Sequence, residues 1–316
     1  MLKLASRNRT LLRLVETSYV ELYLRFNEKE RYHRIKYCQG LKRLASLTMK
    51  GKVLGGVLTQ EGEFYLKTFD GIHLFYNFSN DKYTLGDGQA LDFRPARKVH
   101  PLERFLLSYL KDGMTYFDVG ANNGYYYSLK IARAVKGCRV FAFEPDPRIL
   151  LHLRKNIAYN DLQNVTVVPQ ALSNFVGSAR LTACLGASNF LVKLDQTSLP
   201  TIEVECSTLD RFLAHSGVDR VDLIKVDIEG GEHDFLEGSR ATLLRFKPVI
   251  VLELNLSLLS RSGSTVSAVE SLLSEMGYDC RHVKDSTDAI AIPREKSDLL
   301  TENDELWLNK NRTGGR

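Results

Sequence analysis

Three largely apolar runs of this chain each stop on an acidic residue: Tyr116-Phe117-Asp118, Phe141-Ala142-Phe143-Glu144 and Ile224-Lys225-Val226-Asp227. Runs of this kind read as buried parallel strands, and ligands of an open α/β sheet bind beyond the carboxyl ends of such strands. Carboxylates gathered there can attract a cation, accept hydrogen bonds from a diol or take a proton from a hydroxyl. Asp118 is followed by Val-Gly120-Ala121-Asn122-Asn-Gly124, a glycine turn with the spacing G-x-x-x-G. Nicotinamide enzymes instead use G-x-G-x-x-G, which lets a pyrophosphate reach a helix N-terminus. A carboxylate two residues before Gly120 would repel a pyrophosphate. It would attract the ammonium and sulfonium groups of S-adenosylmethionine, so that cofactor is the expected one. In this reading Gly120 lets the backbone approach the cofactor and Gly124 fits the tight turn.

Glu144 lies 26 residues beyond Asp118 and ends the next strand, where it can accept two hydrogen bonds from a ribose. The block Lys225-Val-Asp227-Ile-Glu229-Gly-Gly-Glu232-His233 ends a later strand. It contains neither the Asn/Asp-Pro-Pro-aromatic pattern of amino-group methylation nor a Pro-Cys nucleophile for carbon methylation. Oxygen is therefore the expected acceptor. A carboxylate or imidazole that removes the hydroxyl proton adds ~10²- to 10⁴-fold. Asp227, Glu229 and His233 are the candidates, with Asp227 also a candidate cofactor ligand. Glu232 and His233 also read as solvated charge at a helix N-terminus, a reading at least as good as the catalytic one for His233. No His/Asp spacing calls for a metal, and metal-free in-line transfer is the expectation. Tyr125, Tyr126 and Tyr127 could stack on a ligand or pack a helix on the sheet.

The elements that must hold these residues alternate. Strands are expected at Thr115 to Val119, Arg139 to Phe143, Val165 to Pro169, Leu223 to Asp227 and Val249 to Leu254. Helices are expected at Tyr125 to Val135, Pro147 to Tyr159, Leu209 to His215, from Glu232, and at Val266 to Met276. Such alternation implies a parallel sheet with crossover helices. Ser178 to Thr182 and Ile202 to Cys206 read as an inserted hairpin, and Tyr278 to Val283 with Ala289 to Ile292 as a terminal antiparallel pair. A last packed segment is expected around Glu302 to Asn309. Upstream, Val53 to Phe93 reads as a small β-rich subdomain with a hairpin turn at Asp70-Gly71, and Pro101 opens a lead-in helix. The expected organisation is a helical extension over 1–50, the subdomain and lead-in helix over 51–112, and the ligand-binding domain over 113–310.

At 316 residues, 44% hydrophobic and 26% charged, the composition is that of an ordinary globular protein. The net charge of +5 is uneven: residues 1–50 carry 12 Lys plus Arg against 4 Glu, leaving 31 against 34 elsewhere. Thr10 to Phe26 and Arg31 to Lys50 have the periodicity of amphipathic helices. This arm would suit a membrane surface, a nucleic acid or an acidic partner, and packing on the catalytic body or on a second subunit is the preferred role. Five cysteines without a Cys-x-x-C pair argue against a disulfide framework and against a zinc site. No apolar run approaches the ~20 residues of a membrane span, and the start lacks a secretory pattern, so the cytoplasm is the expected location.

The segments Phe117 to Gly124, Phe143-Glu-Pro-Asp-Pro147, Asn156, Ala171-Leu-Ser173 and above all Leu223 to Glu232 resemble the FkbM family of S-adenosylmethionine-dependent methyltransferases. The resemblance runs from about Glu63 to Leu254. It implies a class I methyltransferase Rossmann-like fold, with seven strands of which one is antiparallel, and O-methylation of a sugar or related hydroxyl. It also implies that Asp118, Gly120 and Asn122, with Ala121 and Gly124, hold the methionine end of the cofactor, and that Glu144 and Pro145 border its ribose. Gln170, Ala171 and Ser173 would border the adenine, where many class I enzymes place an acidic residue. The expected acceptor is a glycan, glycolipid or secondary-metabolite hydroxyl. The alternatives are an RNA methyltransferase that grips its substrate with the basic arm, and a non-catalytic scaffold that retains the fold.

Overall fold

A computed structural model describes residues 55–60, 63–68, 70–76, 101–183, 188–192, 198–300 and 308–309. The two helices expected within residues 1–50 lie outside them, as does all of 77–100. The chain divides into two compact units, Met1–Lys98 and Val99–Arg316. In the first, β1 (Gly55–Leu58), β2 (Phe64–Lys67) and β3 (His73–Phe75) form an antiparallel meander. The expected hairpin turn at Asp70-Gly71 joins the antiparallel strands β2 and β3. It lies within the five-residue connection 68–72, closed by Thr68, whose amide donates to the Ile72 carbonyl at 2.9 Å and whose Oγ1 accepts from the Ile72 amide at 3.0 Å.

The second unit opens with α1 (Pro101–Tyr109) and β4 (Thr115–Val119), followed by α2 (Ser128–Ala134), β5 (Arg139–Phe143), α3 (Pro147–Tyr159) and β6 (Val165–Val168). Next come β7 (Ala171–Leu172), β8 (Gly177–Thr182), β9 (Leu191–Val192), β10 (Thr201–Ser207) and α4 (Leu209–Ser216). The remainder is β11 (Leu223–Val226), α5 (Glu232–Glu237), α6 (Arg240–Phe246), β12 (Val249–Glu253), α7 (Leu256–Arg261), α8 (Val266–Glu275), β13 (Tyr278–Val283), β14 (Asp288–Pro293) and β15 (Leu308–Asn309).

The main sheet has the order β15-β13-β14-β12-β11-β4-β5-β6. Strands β12, β11, β4, β5 and β6 run parallel, and β14 is antiparallel to both β12 and β13. This is the expected seven-stranded sheet with one antiparallel member, extended by the short eighth strand β15 that pairs with β13. The terminal pair does not simply append to an edge, because β14 inserts between β12 and β13.

Side chains alternate across each strand, so the sheet builds two cores. Phe117, Val119, Ile224, Val226, Ile250 and Leu252 pack with Leu209, Phe235, Leu243, Val269 and Leu273 of the helices on one face. Tyr116, Val140, Leu223, Val249, Val251 and Ile290 pack with Leu102, Leu106 and Ile131 on the other. The inserted hairpin is more than a hairpin: β8 and β10 pair antiparallel within a separate four-stranded sheet of order β7-β10-β8-β9.

Candidate active site

Beyond the carboxyl ends of β4, β5 and β11 lies a cavity of about 580 Å³, a size ordinary for a small-molecule site. Its wall takes Gly120 and Asn122 from the loop after β4, Glu144 and Pro145 from the end of β5, and Gln170, Ala171 and Ser173 from the turn after β6. Asp227, Ile228 and Glu229 come from the loop after β11, and Phe143, Ile149 and Leu172 add apolar surface. The second sheet and its connections contribute Arg180, Leu181, Asn189, Phe190 and Leu191, none of which the sequence patterns single out.

The turn after β4 is built by positive φ at Gly120 (80°), Asn122 (53°) and Gly124 (83°). The Gly120 and Ala121 amides both donate to the Phe143 carbonyl, at 3.1 and 2.9 Å. A further constraint fixes glycine at 120. A Cβ there would lie 1.9 Å from the Asp227 carbonyl oxygen, so the residue is dictated by the backbone of the neighbouring loop as well as by its φ. Gly124 serves the turn as expected, since a Cβ would lie 2.7 Å from the Leu153 side chain. The Asn123 side chain accepts from the Tyr125 amide, and its carbonyl accepts from Asn156 Nδ2 at 2.8 Å. These turns delay α2 to Ser128 instead of Tyr125. None of the three tyrosines lines the cavity; Tyr125 is buried and Tyr126 exposed.

Glu144 is held by two backbone amides, Asn122 N–H at 3.0 Å on Oε2 and Asp146 N–H at 2.9 Å on Oε1. Burial nevertheless pushes its carboxyl up to about 7. Each oxygen keeps a second lone pair for a ligand hydroxyl. Asp146, itself buried, caps α3 and pairs with Arg148, and it accepts from Asn189 Nδ2 at 3.0 Å. That bond ties the second sheet to the cavity rim.

Asp118 does not reach the cavity wall, contrary to the expected direct contact with a cationic ligand. Strand alternation sends it to the α2 face, where Ser128 donates to its Oδ2 through both N–H (3.1 Å) and Oγ (2.5 Å). Lys225 is its register partner across the β4/β11 ladder and therefore shares its face. The Lys225 ammonium sits 3.8 Å from Asp118 Oδ1 and 3.0 Å from Asp227 Oδ2, two residues further along the same strand direction. It also lies 5.1 Å from the Tyr127 ring centre. Burial pulls the ammonium down, but the charges of Asp227 and Asp118 outweigh it and leave Lys225 above its ordinary value. Burial likewise raises Asp118, against the opposing pull of Lys225 and Ser128. The charged core of the site is thus an Asp118–Lys225–Asp227 row, with Asp227 at the cavity end.

Glu229 stands in the left-handed region, φ 57°, on the cavity wall. Burial and then the charge of Asp227 push its carboxyl up to about 7, against Ser188, Arg261 and Lys225. Beside it, burial followed by the charge of Asp227 raises Glu253, at the end of β12, to about 8. His233 does not join this group. It lies off the wall, its ring nitrogen within 4.8 Å of the carboxylates of Asp234 and Glu237. Ala121 and Gly124 are also off the wall.

Glu232 is not solvated helix charge but is buried, and its Oε1 accepts from the Ile228 amide at 3.1 Å and the Gly230 amide at 3.3 Å. It thereby fixes the loop that carries Asp227 and Glu229. Its Oε2 has no hydrogen-bond partner among the described residues, and burial raises the carboxyl to about 7. A folded-state value above the unfolded 4.5 means the native chain holds the extra proton between these limits, so this group's contribution falls as pH rises from about 4.5 through about 7. Glu232→Gln should therefore gain stability relative to wild type across that window. Urea unfolding of both proteins at pH 5 and pH 8 measures it, and a difference independent of pH would contradict the assignment.

The sheet order, its single antiparallel strand within the seven and a cavity at the switch between β4 and β11 define the class I methyltransferase fold. The methyltransferase FkbM domain model matches residues 118–280, just over half of the chain, and the chain belongs to that family. Among curated relatives it is similar to methyltransferase sdnD of Sordaria araneosa, with 30% identity over 38% of this chain and 58% of that one. It is also similar to 2-O-methyltransferase NoeI of Sinorhizobium fredii, with 28% identity over 47% and 65% of the two chains. Hexuronic acid methyltransferase AglP of Haloferax volcanii shows 29% identity over 50% of this chain and 63% of its own. The matched region thus spans about three fifths of each relative's length.

Proposed function

We propose that the protein transfers the methyl group of S-adenosylmethionine to a hydroxyl oxygen of a sugar, a glycolipid or a sugar-like secondary metabolite. The observation that carries this reading is the cavity wall itself, where Glu144, Asp227 and Glu229 converge beside Asn122 and the apolar Phe143, Ile149 and Leu172. That donor set fits the cofactor. Glu144 suits a ribose diol, the apolar residues suit a purine, and the acidic end suits ammonium and sulfonium groups. The names of two relatives, a 2-O-methyltransferase and a hexuronic acid methyltransferase, support oxygen and a sugar as the acceptor.

When bound, the cofactor would supply an electrophilic methyl group on a positively charged sulfur. The chain's own part is to hold the acceptor hydroxyl in line, exclude water and receive the hydroxyl proton. Glu229 is the better proton acceptor of the two carboxylates. Asp227 is engaged by the Lys225 ammonium at 3.0 Å, whereas Glu229 stands on the cavity wall with its carboxyl raised to about 7. Asp227 then serves by its negative charge at the cavity end of the buried row.

Calorimetry tests the cofactor. S-adenosylmethionine and S-adenosylhomocysteine should bind and NAD should not, and Glu144→Ala should weaken the first two by about tenfold or more, as expected for loss of hydrogen bonds to a charged group. Binding of NAD alone would reverse the reading. A labelled methyl donor offered to lipid, polysaccharide and RNA fractions then finds the acceptor. Label confined to RNA would favour the basic arm as a substrate grip over a sugar hydroxyl.

A further inference from the structure

A second group of chemistry-bearing side chains lies away from the cavity, on β13 and α8, with β14 and β12 between β13 and the site strand β11. Cys280 and His282 are two residues apart on β13 and therefore project from one face of it. That face packs under α8, where Tyr278 and Cys280 join the core with Val269 and Leu273. Glu270, next to Val269 on α8, reaches the same point. The ligand atoms of Glu270, Cys280 and His282 all lie within 4.8 Å of one another, and His282 Nε2 is 2.6 Å from Glu270 Oε1.

We propose that Glu270, Cys280 and His282 form a zinc(II) site with three protein ligands and a fourth position open to water. The donor set selects the ion: thiolate sulfur excludes magnesium and calcium, and a Cys, His and carboxylate combination is what zinc accepts. Ordinary zinc bond lengths in a tetrahedron require about 3.6 Å between the Cys sulfur and the His nitrogen and about 3.3 Å between nitrogen and carboxylate oxygen. The 2.6 Å contact must open to admit the ion. Glu270, with a side chain 32% exposed, has room to make that move, while His282 at 5% stays fixed. Zinc would displace the thiol proton and replace the direct Glu270–His282 hydrogen bond with two metal bonds. Occupancy must therefore release that proton to the buffer. The bound ion would clamp α8 to β13.

The other metal-sized group among the described residues, His233, Asp234 and Glu237, lacks a thiol, and its Glu237 already accepts from Asn174 Nδ2 at 2.7 Å. The difference makes the test specific. Chelator-treated full-length protein is titrated with Co²⁺ and then with Zn²⁺. One equivalent of Co²⁺ should develop sulfur-to-metal charge-transfer absorption that Zn²⁺ abolishes, with a proton released on binding. Cys280→Ser should remove the absorption, and His282→Gln and Glu270→Gln should each weaken binding about tenfold or more, while His233→Ala leaves it unchanged. Absence of the band in wild type, its survival in Cys280→Ser, or its loss in His233→Ala would overturn the proposal. Circular dichroism of each variant separates loss of ligands from loss of fold.

Discussion

Glu229→Gln is expected to lower turnover by about 10²- to 10⁴-fold, the range that a positioned proton acceptor supplies, while the affinity for S-adenosylmethionine changes little. Glutamine keeps the size and the acceptor oxygen of the side chain but cannot take a proton. The pH profile carries the sharper evidence. With the carboxyl raised to about 7, the wild-type rate should climb from acid pH and level off above about 7, because only the ionised form acts as base. In Glu229→Gln that limb should disappear. Single-turnover rates between pH 5.5 and 9 measure both. A variant that retains the acid limb at near wild-type rate would move the base to Asp227 or to solvent.

Lys225→Met should cost stability on the scale of about 3–5 kcal/mol, the usual penalty for removing one partner of a buried ion pair. Methionine matches the length of the lysine stem. What it removes is the only cation within 4 Å of Asp118 among the described residues, and Asp118 has a side chain just 2% exposed. Asp227, at 39%, can recover part of its loss from water, so most of the penalty falls on Asp118. The double change Lys225→Met with Asp118→Asn should restore much of it, since an amide needs no counter-charge. Urea unfolding of the two single variants and the double variant closes the cycle. A loss under about 1 kcal/mol for Lys225→Met would mean that water or Ser128 alone keeps Asp118 satisfied.

The strands that carry the site were legible because each is an apolar run that ends on a charge. β4, β5 and α3 have the expected bounds, and the structure adds Asp146 as the residue that caps α3 ahead of Pro147. The start of α2 was not legible, because side-chain bonds from Asn122 and Asn123 to backbone amides hold a chain of turns that a periodicity argument reads as helix. Helix α7 was missed because six residues carry too little periodicity, although Asn255 caps it as a helix start should. The acidic tips were identified, but the face each occupies depends on register. Asp118 belongs with Lys225 because they are ladder partners, a pairing between residues more than a hundred apart that spacing does not reveal. Arg180, Asn189 and Phe190 reach the cavity only because a second sheet folds back over it.

The eighth strand has a consequence for solubility. Among the described residues, β13 would otherwise end the main sheet with unpaired amides and carbonyls, which is a template for pairing with another chain. Leu308 and Asn309 pair with Val283 and His282 and close part of that border, with Leu308 buried as an anchor. A few residues near the C-terminus therefore act as a selvedge, and any shortening of the chain that removes them would trade a finished margin for one that invites fibre-like stacking.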